Sequence, residues 1–234
     1  MNNIINNIKH IRNRMASACE RAGREADSVR LLLATKTVAS DRIRVAIEAG
    51  ETLLGENRIQ EFAAKNPELS DLKYERHFIG HLQTNKIKDI LKYDVKCIQS
   101  LDSAELMHKL DQRLQAEGRS LDIMVQVNTS FEASKYGLNP DEVPAFLKEL
   151  NKCDTLKLKG FMTIGLFDSD TEAVRRSYTL LRELRDMAIS EGIVSPESKE
   201  LSMGMSADLE TAIEEGATIV RVGSAIFGTR TSNR

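Results

Sequence analysis

The chain has 234 residues, enough for one large core, and an α/β barrel commonly occupies about this length as a single domain. Its 33 lysines and arginines nearly balance 35 aspartates and glutamates, so the net charge of −2 provides no global attraction for nucleic acid or an anionic membrane. Three widely spaced cysteines form no CxxC pattern, which argues against a disulfide framework and a zinc site: Cys19, Cys97 and Cys153. With no membrane span and no signal peptide, we expect a cytoplasmic protein.

The first segment predicts an amphipathic helix. Apolar residues recur there at helical spacing, at Ile4, Ile5, Ile8, Ile11, Met15 and Ala18. Gly23 follows at the point where such a helix would stop.

Beyond this helix, short β-branched or leucine-rich runs alternate with charged, helically periodic segments, which is typical of a parallel sheet. Eight such runs are present, at 29–36, 52–57, 75–80, 95–101, 121–128, 156–164, 199–206 and 218–228. Eight strands predict a single (β/α)8 TIM barrel over residues 1–234, preceded by the N-terminal helix. A doubly wound open sheet is the alternative, but it usually carries a Gly-rich fingerprint after its first strand, where this chain reads "ATKTVAS".

In such a barrel the chemistry gathers at the C-terminal ends of the strands. The predicted runs end on or near polar or functional residues: Lys36, Glu56, Asn57, His77, Asn128, Met162, Thr163, Ser206 and Arg221. We therefore examine these positions for a site.

Lys36 ends the first apolar run, "VRLLLATK". One interpretation is a lysine whose stem packs on apolar neighbours while its ammonium reaches water. The other is an amine whose pKa is lowered by partial desolvation and nearby positive charge, so that it attacks a carbonyl and forms a Schiff base.

The last two predicted strands lie where this fold often binds phosphate. Gly223 would let the backbone approach an anion, Ser224 adds an N–H and a hydroxyl, and Ser206 adds another hydroxyl just before a helix predicted at Ala207. Separately, Ser206 could be only a helix cap and Gly223 only a turn glycine.

Arg221 shares a face with Gly223 because side chains alternate along a strand. An arginine facing a barrel interior needs an acceptor, which is either a carboxylate such as Glu56 or the ring nitrogen of a pyridine. A lysine, a phosphate cradle and a partner for a ring nitrogen together describe a pyridoxal 5'-phosphate (PLP) site.

Motifs along the whole chain resemble the pyridoxal 5'-phosphate homeostasis protein family, which shares the alanine racemase N-terminal barrel. These motifs are "LLLATKT", "LLGENRIQE", "HFIGHLQTNK", "SKYGL", "GFMTIG", "LSMGMSADLETAI" and "VRVGSAIFGTR". The resemblance implies that Lys36 forms the Schiff base and that Arg221 lies beside the pyridine nitrogen. It further implies that Asn57 lines the cofactor face and that the phosphate is bound by Ser206, Gly223 and Ser224.

Two further positions follow from the resemblance. Lys135, in "EASKYG", matches a lysine that the family places near the cofactor as a second amine for cofactor exchange; otherwise it is a solvated loop lysine. His81 stands where the family usually has proline after "HFIG". We expect His81 to begin a helix and to affect loop rigidity rather than cofactor binding.

A carrier and an enzyme are the two competing functions. An arginine at the ring nitrogen does not protonate it, so a racemase of this kind needs two opposed bases. The resemblance implies that the second base comes from a C-terminal β domain, whereas this chain ends six residues after "IFG". Of the four tyrosines (Tyr74, Tyr93, Tyr136 and Tyr178), only Tyr136 falls in a predicted loop at the mouth.

We therefore expect a monomeric PLP carrier rather than an enzyme, with apo forms of PLP enzymes as its partners. A small PLP-dependent amino-acid racemase is the alternative.

Overall fold

A computed structural model describes residues 2–228; Met1 and residues 229–234, the ends of the predicted 1–234 domain, lie outside them. Eight parallel strands are hydrogen-bonded in chain order and the last closes on the first. The strands are β1 (Arg30–Ala34), β2 (Leu53–Glu56), β3 (Glu75–Phe78), β4 (Val95–Leu101), β5 (Leu121–Gln126), β6 (Leu156–Met162), β7 (Glu200–Ser202) and β8 (Ile219–Val222). The predicted (β/α)8 barrel is confirmed, and the open-sheet alternative is wrong.

Helices surround the barrel and precede it. They are α1 (Asn2–Arg21), α2 (Ser40–Glu48), α3 (Ile59–Lys65), α4 (Ile87–Ile90), α5 (Ala104–Glu117), α6 (Val143–Leu150), α7 (Thr171–Ser190), α8 (Leu209–Glu214) and α9 (Ser224–Phe227). Short 3₁₀ segments lie at Ala26–Ser28, Pro67–Leu69, Thr84–Lys86 and Pro140–Glu142. None of the helices within residues 2–228 combines the length and the apolar character that crossing a membrane requires.

The leading helix α1 confirms the amphipathic prediction. Its apolar residues are buried at Ile4, Ile8, Ile11, Met15 and Ala18, whereas Ile5 is half-buried. This face packs against α2, α8 and α9. The Asn7 amide also donates to the carbonyl of Ile226 at 2.9 Å, so α1 covers the side of the barrel where β8 meets β1.

Several strands are shorter than the predicted runs. The run at 218–228 contains two elements, because β8 ends at Val222 and the apolar residues that follow belong to α9. β1 ends at Ala34, and Lys36 lies in the turn that follows. Apolar side chains alone do not mark a strand end, since they also cover the inner face of the next helix.

The barrel interior contains a small apolar cluster formed by Leu32, Leu53, Cys97, Met124, Met162 and Ile219. Leu31 and Leu33 belong instead to the larger core between the strands and the helices. This alternation fixes which side chains face inward along each strand. On β1, two-residue steps from Leu32 lead to Ala34 and then to Lys36 at the C-terminal mouth.

Candidate functional site

Lys36 is exposed in the turn between β1 and α2. This turn has an unusual backbone, because Thr37 adopts a left-handed φ of 62°, and its hydroxyl donates to the Lys36 carbonyl at 2.6 Å. Directly before Lys36, the fully buried Thr35 accepts a 2.8 Å hydrogen bond from the Lys65 amine at its carbonyl. The turn that carries Lys36 is therefore anchored on α3.

Glu56 faces α3 rather than the barrel interior. Its Oε1 accepts from the Lys65 amine at 2.7 Å and from the Thr35 hydroxyl at 2.6 Å, while Oε2 is buried with no hydrogen bond within residues 2–228. Burial raises the pKa of Glu56, and Lys65 and Thr35 oppose that shift. The proposed ion pair between Glu56 and Arg221 is therefore absent, since Glu56 pairs with Lys65.

Arg221 is buried in the barrel interior at 6% exposure. Its Nη1 donates to the Ser202 hydroxyl at 2.9 Å and its Nη2 donates to the Thr163 carbonyl at 2.7 Å. Within residues 2–228 it forms no ion pair, and burial lowers the pKa of its guanidinium, although nearby Tyr178 and Asp208 oppose this. A guanidinium with unused donors and no carboxylate can bind a neutral acceptor.

The three residues predicted to bind phosphate follow β7 and β8. A Cβ on Gly223 would lie 2.7 Å from the Ala34 carbonyl oxygen, so this glycine lets β8 and β1 approach closely. Ser224 is exposed at the start of α9. The Ser206 hydroxyl, half-buried, makes no hydrogen bond with any residue in 2–228.

Ser206 is not a helix cap. The helix predicted at Ala207 begins instead at Leu209, after Asp208. Asp208 is folded back to accept from the Met205 amide at 2.6 Å, and this contact orders the turn that contains Ser206.

Asn57 follows β2 directly and is half-buried. Its Oδ1 is inaccessible and accepts no hydrogen bond among the described residues. Gly80 fixes the adjacent backbone, because a Cβ there would come within 2.0 Å of the Asn57 carbonyl oxygen. An orphaned amide oxygen at the mouth is consistent with a polar ligand.

A loop after β5 folds back over the mouth and contains Lys135. The Asn128 amide holds the loop by donating to the carbonyls of Glu132 and Lys135, at 2.9 and 3.3 Å. The Lys135 amine itself donates to the Glu132 carboxylate at 2.5 Å and to the Gly165 carbonyl at 2.8 Å. Its side chain is only 20% exposed, so Lys135 is not a solvated lysine.

His81 and Tyr136 stack on each other with ring centroids 3.8 Å apart and an interplanar angle of 10°. His81 Nδ1 also lies 3.5 Å from the Asp102 carboxylate. The prediction that His81 begins a helix is wrong, because the next helical segment starts at Thr84. Through this stack His81 contacts the loop after β5. Tyr136 itself is 55% exposed.

The position of His77 corrects the prediction that it lies at the C-terminal mouth. His77 is 3% exposed inside the barrel, where its ring contacts Glu75 and Gln99. Met162 likewise packs in the interior apolar cluster. Sequence reasoning missed Gln99 and Ser202, although both continue the inward alternation of their strands.

The register of the barrel brings the candidate residues together. Leu32 on β1 lies opposite Arg221 on β8, and Leu33 lies opposite Val222. The turn with Lys36 and the segment with Gly223 and Ser224 therefore leave adjacent strand ends, with the Arg221 guanidinium between them and the interior. This arrangement offers an amine, a close backbone approach and a buried donor within one mouth.

Comparisons with known proteins identify the family of this chain. The family model described as alanine racemase, N-terminal domain, matches residues 1–231. A pyridoxal phosphate homeostasis protein of Aquifex aeolicus is 40% identical over 228 residues, which cover 97% of this chain and 99% of the relative.

Two solved structures share the fold of this chain. PipY of Synechococcus elongatus, solved with PLP bound, superposes with a TM-score of 0.80 at 32% identity, covering 93% of this chain and 100% of PipY. An alanine racemase of Clostridium difficile shares the fold, with a TM-score of 0.79 at 16% identity, covering 100% of this chain and 58% of the racemase. The chain belongs to the pyridoxal phosphate homeostasis protein family, within the alanine racemase N-terminal domain fold.

Proposed function

We propose that this protein binds pyridoxal 5'-phosphate as a Schiff base on Lys36 and acts as a carrier in intracellular PLP homeostasis. The observation that supports this most strongly is the register of β1 on β8: Leu33 lies opposite Val222, so the turn that carries Lys36 and the segment that begins at Gly223 leave adjacent strand ends. The names of its relatives and the PLP-bound PipY support the same cofactor. When bound, PLP supplies an aldehyde that condenses with an amine and loses water.

Features of the site fit the three parts of this cofactor. Gly223 and Ser224 offer backbone and hydroxyl donors at a strand end, and Ser206 adds a hydroxyl with no hydrogen bond within residues 2–228. The unused donors of Arg221 suit a ring nitrogen. Asn57 Oδ1 is inaccessible as placed, so it would accept from a hydroxyl of the cofactor only once the side chain turns toward the mouth.

Arg221 sets a condition that a racemase would have to meet. A guanidinium donates a hydrogen bond but does not give up its proton, so the ring nitrogen it contacts stays unprotonated. An unprotonated ring withdraws electrons weakly, so a substrate α-proton is labilised little. A racemase with Arg221 at the ring nitrogen therefore needs two opposed bases, and the exposed Tyr136 is the candidate for the second.

Lys135 is our proposed second amine for cofactor exchange. Its amine donates to Glu132 in the same loop and to the Gly165 carbonyl after β6, and this second contact joins the loop after β5 to the loop after β6. To act in exchange, the Lys135 amine must leave both acceptors, so exchange would break the hydrogen bond that joins the two loops. We further propose that the chain acts as a monomer and delivers PLP to apo forms of PLP enzymes.

The carrier is tested by transfer and by α-proton exchange. The loaded protein should reactivate an apo PLP enzyme faster than the free release of PLP allows, while D- or L-alanine in deuterated water keeps its α-proton. Rapid scrambling that disappears in Lys36→Ala would instead make this protein a racemase. Loss of scrambling in Tyr136→Phe would then identify the exposed Tyr136 as the second base.

A further inference from the structure

A buried hydrogen-bond network of polar side chains crosses the barrel interior below Arg221. The Arg221 guanidinium contacts Ser202 Oγ at 2.9 Å, Ser202 Oγ contacts Gln99 Oε1 at 2.6 Å, and Gln99 Nε2 contacts His77 Nδ1 at 2.7 Å. His77 Nε2 lies 2.7 Å from a Glu75 carboxylate oxygen. Gln99 and Ser202 are fully buried, and strands β3, β4, β7 and β8 each contribute to the network.

The direction of every hydrogen bond in this network is fixed by its two end members, Arg221 and Glu75. Arg221 has only donors, so the Ser202 oxygen accepts and its single proton goes to Gln99 Oε1. The Gln99 amide nitrogen then donates to His77 Nδ1, which leaves the His77 proton on Nε2. That proton goes to the Glu75 carboxylate, which has only acceptors. One arrangement of protons therefore satisfies every hydrogen bond of the network.

Two anchors define the plane of the Arg221 guanidinium. One is the Thr163 carbonyl, which belongs to the backbone after β6 and accepts at 2.7 Å. The other is the Ser202 hydroxyl, which could rotate away if Gln99 did not hold its proton. Without this second anchor the guanidinium could pivot about the Thr163 carbonyl, because no carboxylate within residues 2–228 pairs with it.

We propose that Ser202 and Gln99 are positioning residues that hold the Arg221 guanidinium in the orientation in which it donates to the ring nitrogen of PLP. Neither residue touches the cofactor; both act through Arg221. This inference rests on the proposed function, because only a bound pyridine gives Arg221 that acceptor.

The experiment compares wild type, Ser202→Ala, Gln99→Leu and the control Ser100→Ala, each loaded with PLP. Ser100 is a matched control, because it is a fully buried serine of β4 whose hydroxyl has no hydrogen-bond partner within residues 2–228. Three quantities are measured: the visible absorption maximum of the bound cofactor, the rate of its release to a trap, and the urea midpoint of unfolding.

We expect Ser202→Ala and Gln99→Leu to keep the borohydride-trapped link but to shift the absorption maximum in the same direction. Both should release PLP roughly threefold to tenfold faster, as expected for a weakened hydrogen bond to a charged group. The double variant should behave as Ser202→Ala does, because both changes act on one anchor. Ser100→Ala should match wild type in absorption maximum and release rate.

Three results would overturn the inference. They are a folded Ser202→Ala with the wild-type spectrum and release rate, equal shifts in Ser202→Ala and Ser100→Ala, and additive effects in the double variant. If Gln99→Leu fails to fold, Ser202→Ala against Ser100→Ala decides. A wild-type protein that traps no PLP would contradict the proposed function instead, and this outcome is seen before any variant is compared.

Discussion

The buried pair of Lys65 and Glu56 should dominate the stability of the turn that carries Lys36. The Lys65 side chain is 9% exposed and the Glu56 side chain 5%, and their charged atoms lie 2.7 Å apart. Lys65→Met keeps most of the apolar stem but leaves the Glu56 carboxylate with the Thr35 hydroxyl as its hydrogen-bond donor. Breaking one side of a buried pair costs about 3–5 kcal/mol, a large part of a total of about 5–15 kcal/mol.

Urea unfolding at pH 7 measures this loss. The control is Lys152→Met, because Lys152 pairs with Glu149 at the same 2.7 Å but with side chains 68% and 49% exposed. We expect that control to leave the free energy of unfolding nearly unchanged, because the pair is exposed and screened by solvent. The double variant Lys65→Met/Glu56→Met should recover most of the loss, because the buried Glu56 charge is then gone and Glu61, the other partner of Lys65 at 2.7 Å, is 21% exposed.

The loss should also depend on pH. Burial raises the pKa of Glu56 in the folded state, and removing Lys65 removes the main opposing contribution. A raised pKa means that the folded state binds the proton more readily than the unfolded state, so the penalty in Lys65→Met shrinks as the pH falls. A loss below about 1 kcal/mol at pH 7, a double variant less stable than the single one, or a penalty that grows at low pH would refute this reasoning.

Three other predictions concern Glu75, at the start of β3, and the proposed phosphate site after β7 and β8. His77 and then Arg30 lower the pKa of Glu75 from 4.5 to about 2. The ionised Glu75 therefore stabilises the fold, and this contribution is lost as the pH falls from 4.5 to about 2. Glu75→Gln should flatten the acid unfolding curve over that range. Gly223→Ala should weaken PLP binding in a fluorescence titration while the protein stays folded, since its Cβ would lie 2.7 Å from the Ala34 carbonyl oxygen; unchanged affinity would contradict this. PLP should bind more tightly than pyridoxal by about 1.5–3 kcal/mol per charge-assisted hydrogen bond, with Ser206→Ala losing only one; equal affinities would show that the cradle binds no phosphate.

The fold could be predicted from the sequence because its signal is local. Eight apolar runs separated by capped helices specify eight strands, and Ser103 and Gly118 flank α5 as cap residues, with Ser103 Oγ accepting from the Leu106 amide and Gly118 at φ 60°. Strand ends were less predictable. The run through Gly223 continues apolar into α9, so composition alone does not separate the two elements.

The site was predictable only in part, because its partners lie far apart in the sequence. Lys36, Gly223 and Arg221 could be placed near one mouth, because the ends of adjacent parallel strands meet there. The acceptors of Arg221 could not be identified, because the Thr163 carbonyl lies 58 positions away and the Ser202 hydroxyl is held by Gln99, which lies 103 positions from Ser202. That pairing depends on barrel closure and stagger, which local periodicity does not encode.

The central claim is that Lys36 carries PLP covalently, and borohydride reduction followed by peptide mapping tests it most directly. Hydride reduces the carbon–nitrogen double bond to a stable secondary amine, so the label stays on the lysine that formed the bond. We predict a yellow protein that bleaches on reduction, one equivalent of label on the peptide containing Lys36, and loss of the visible band in Lys36→Ala. A label on Lys135 or another lysine, or the same visible band in Lys36→Ala, would contradict the account.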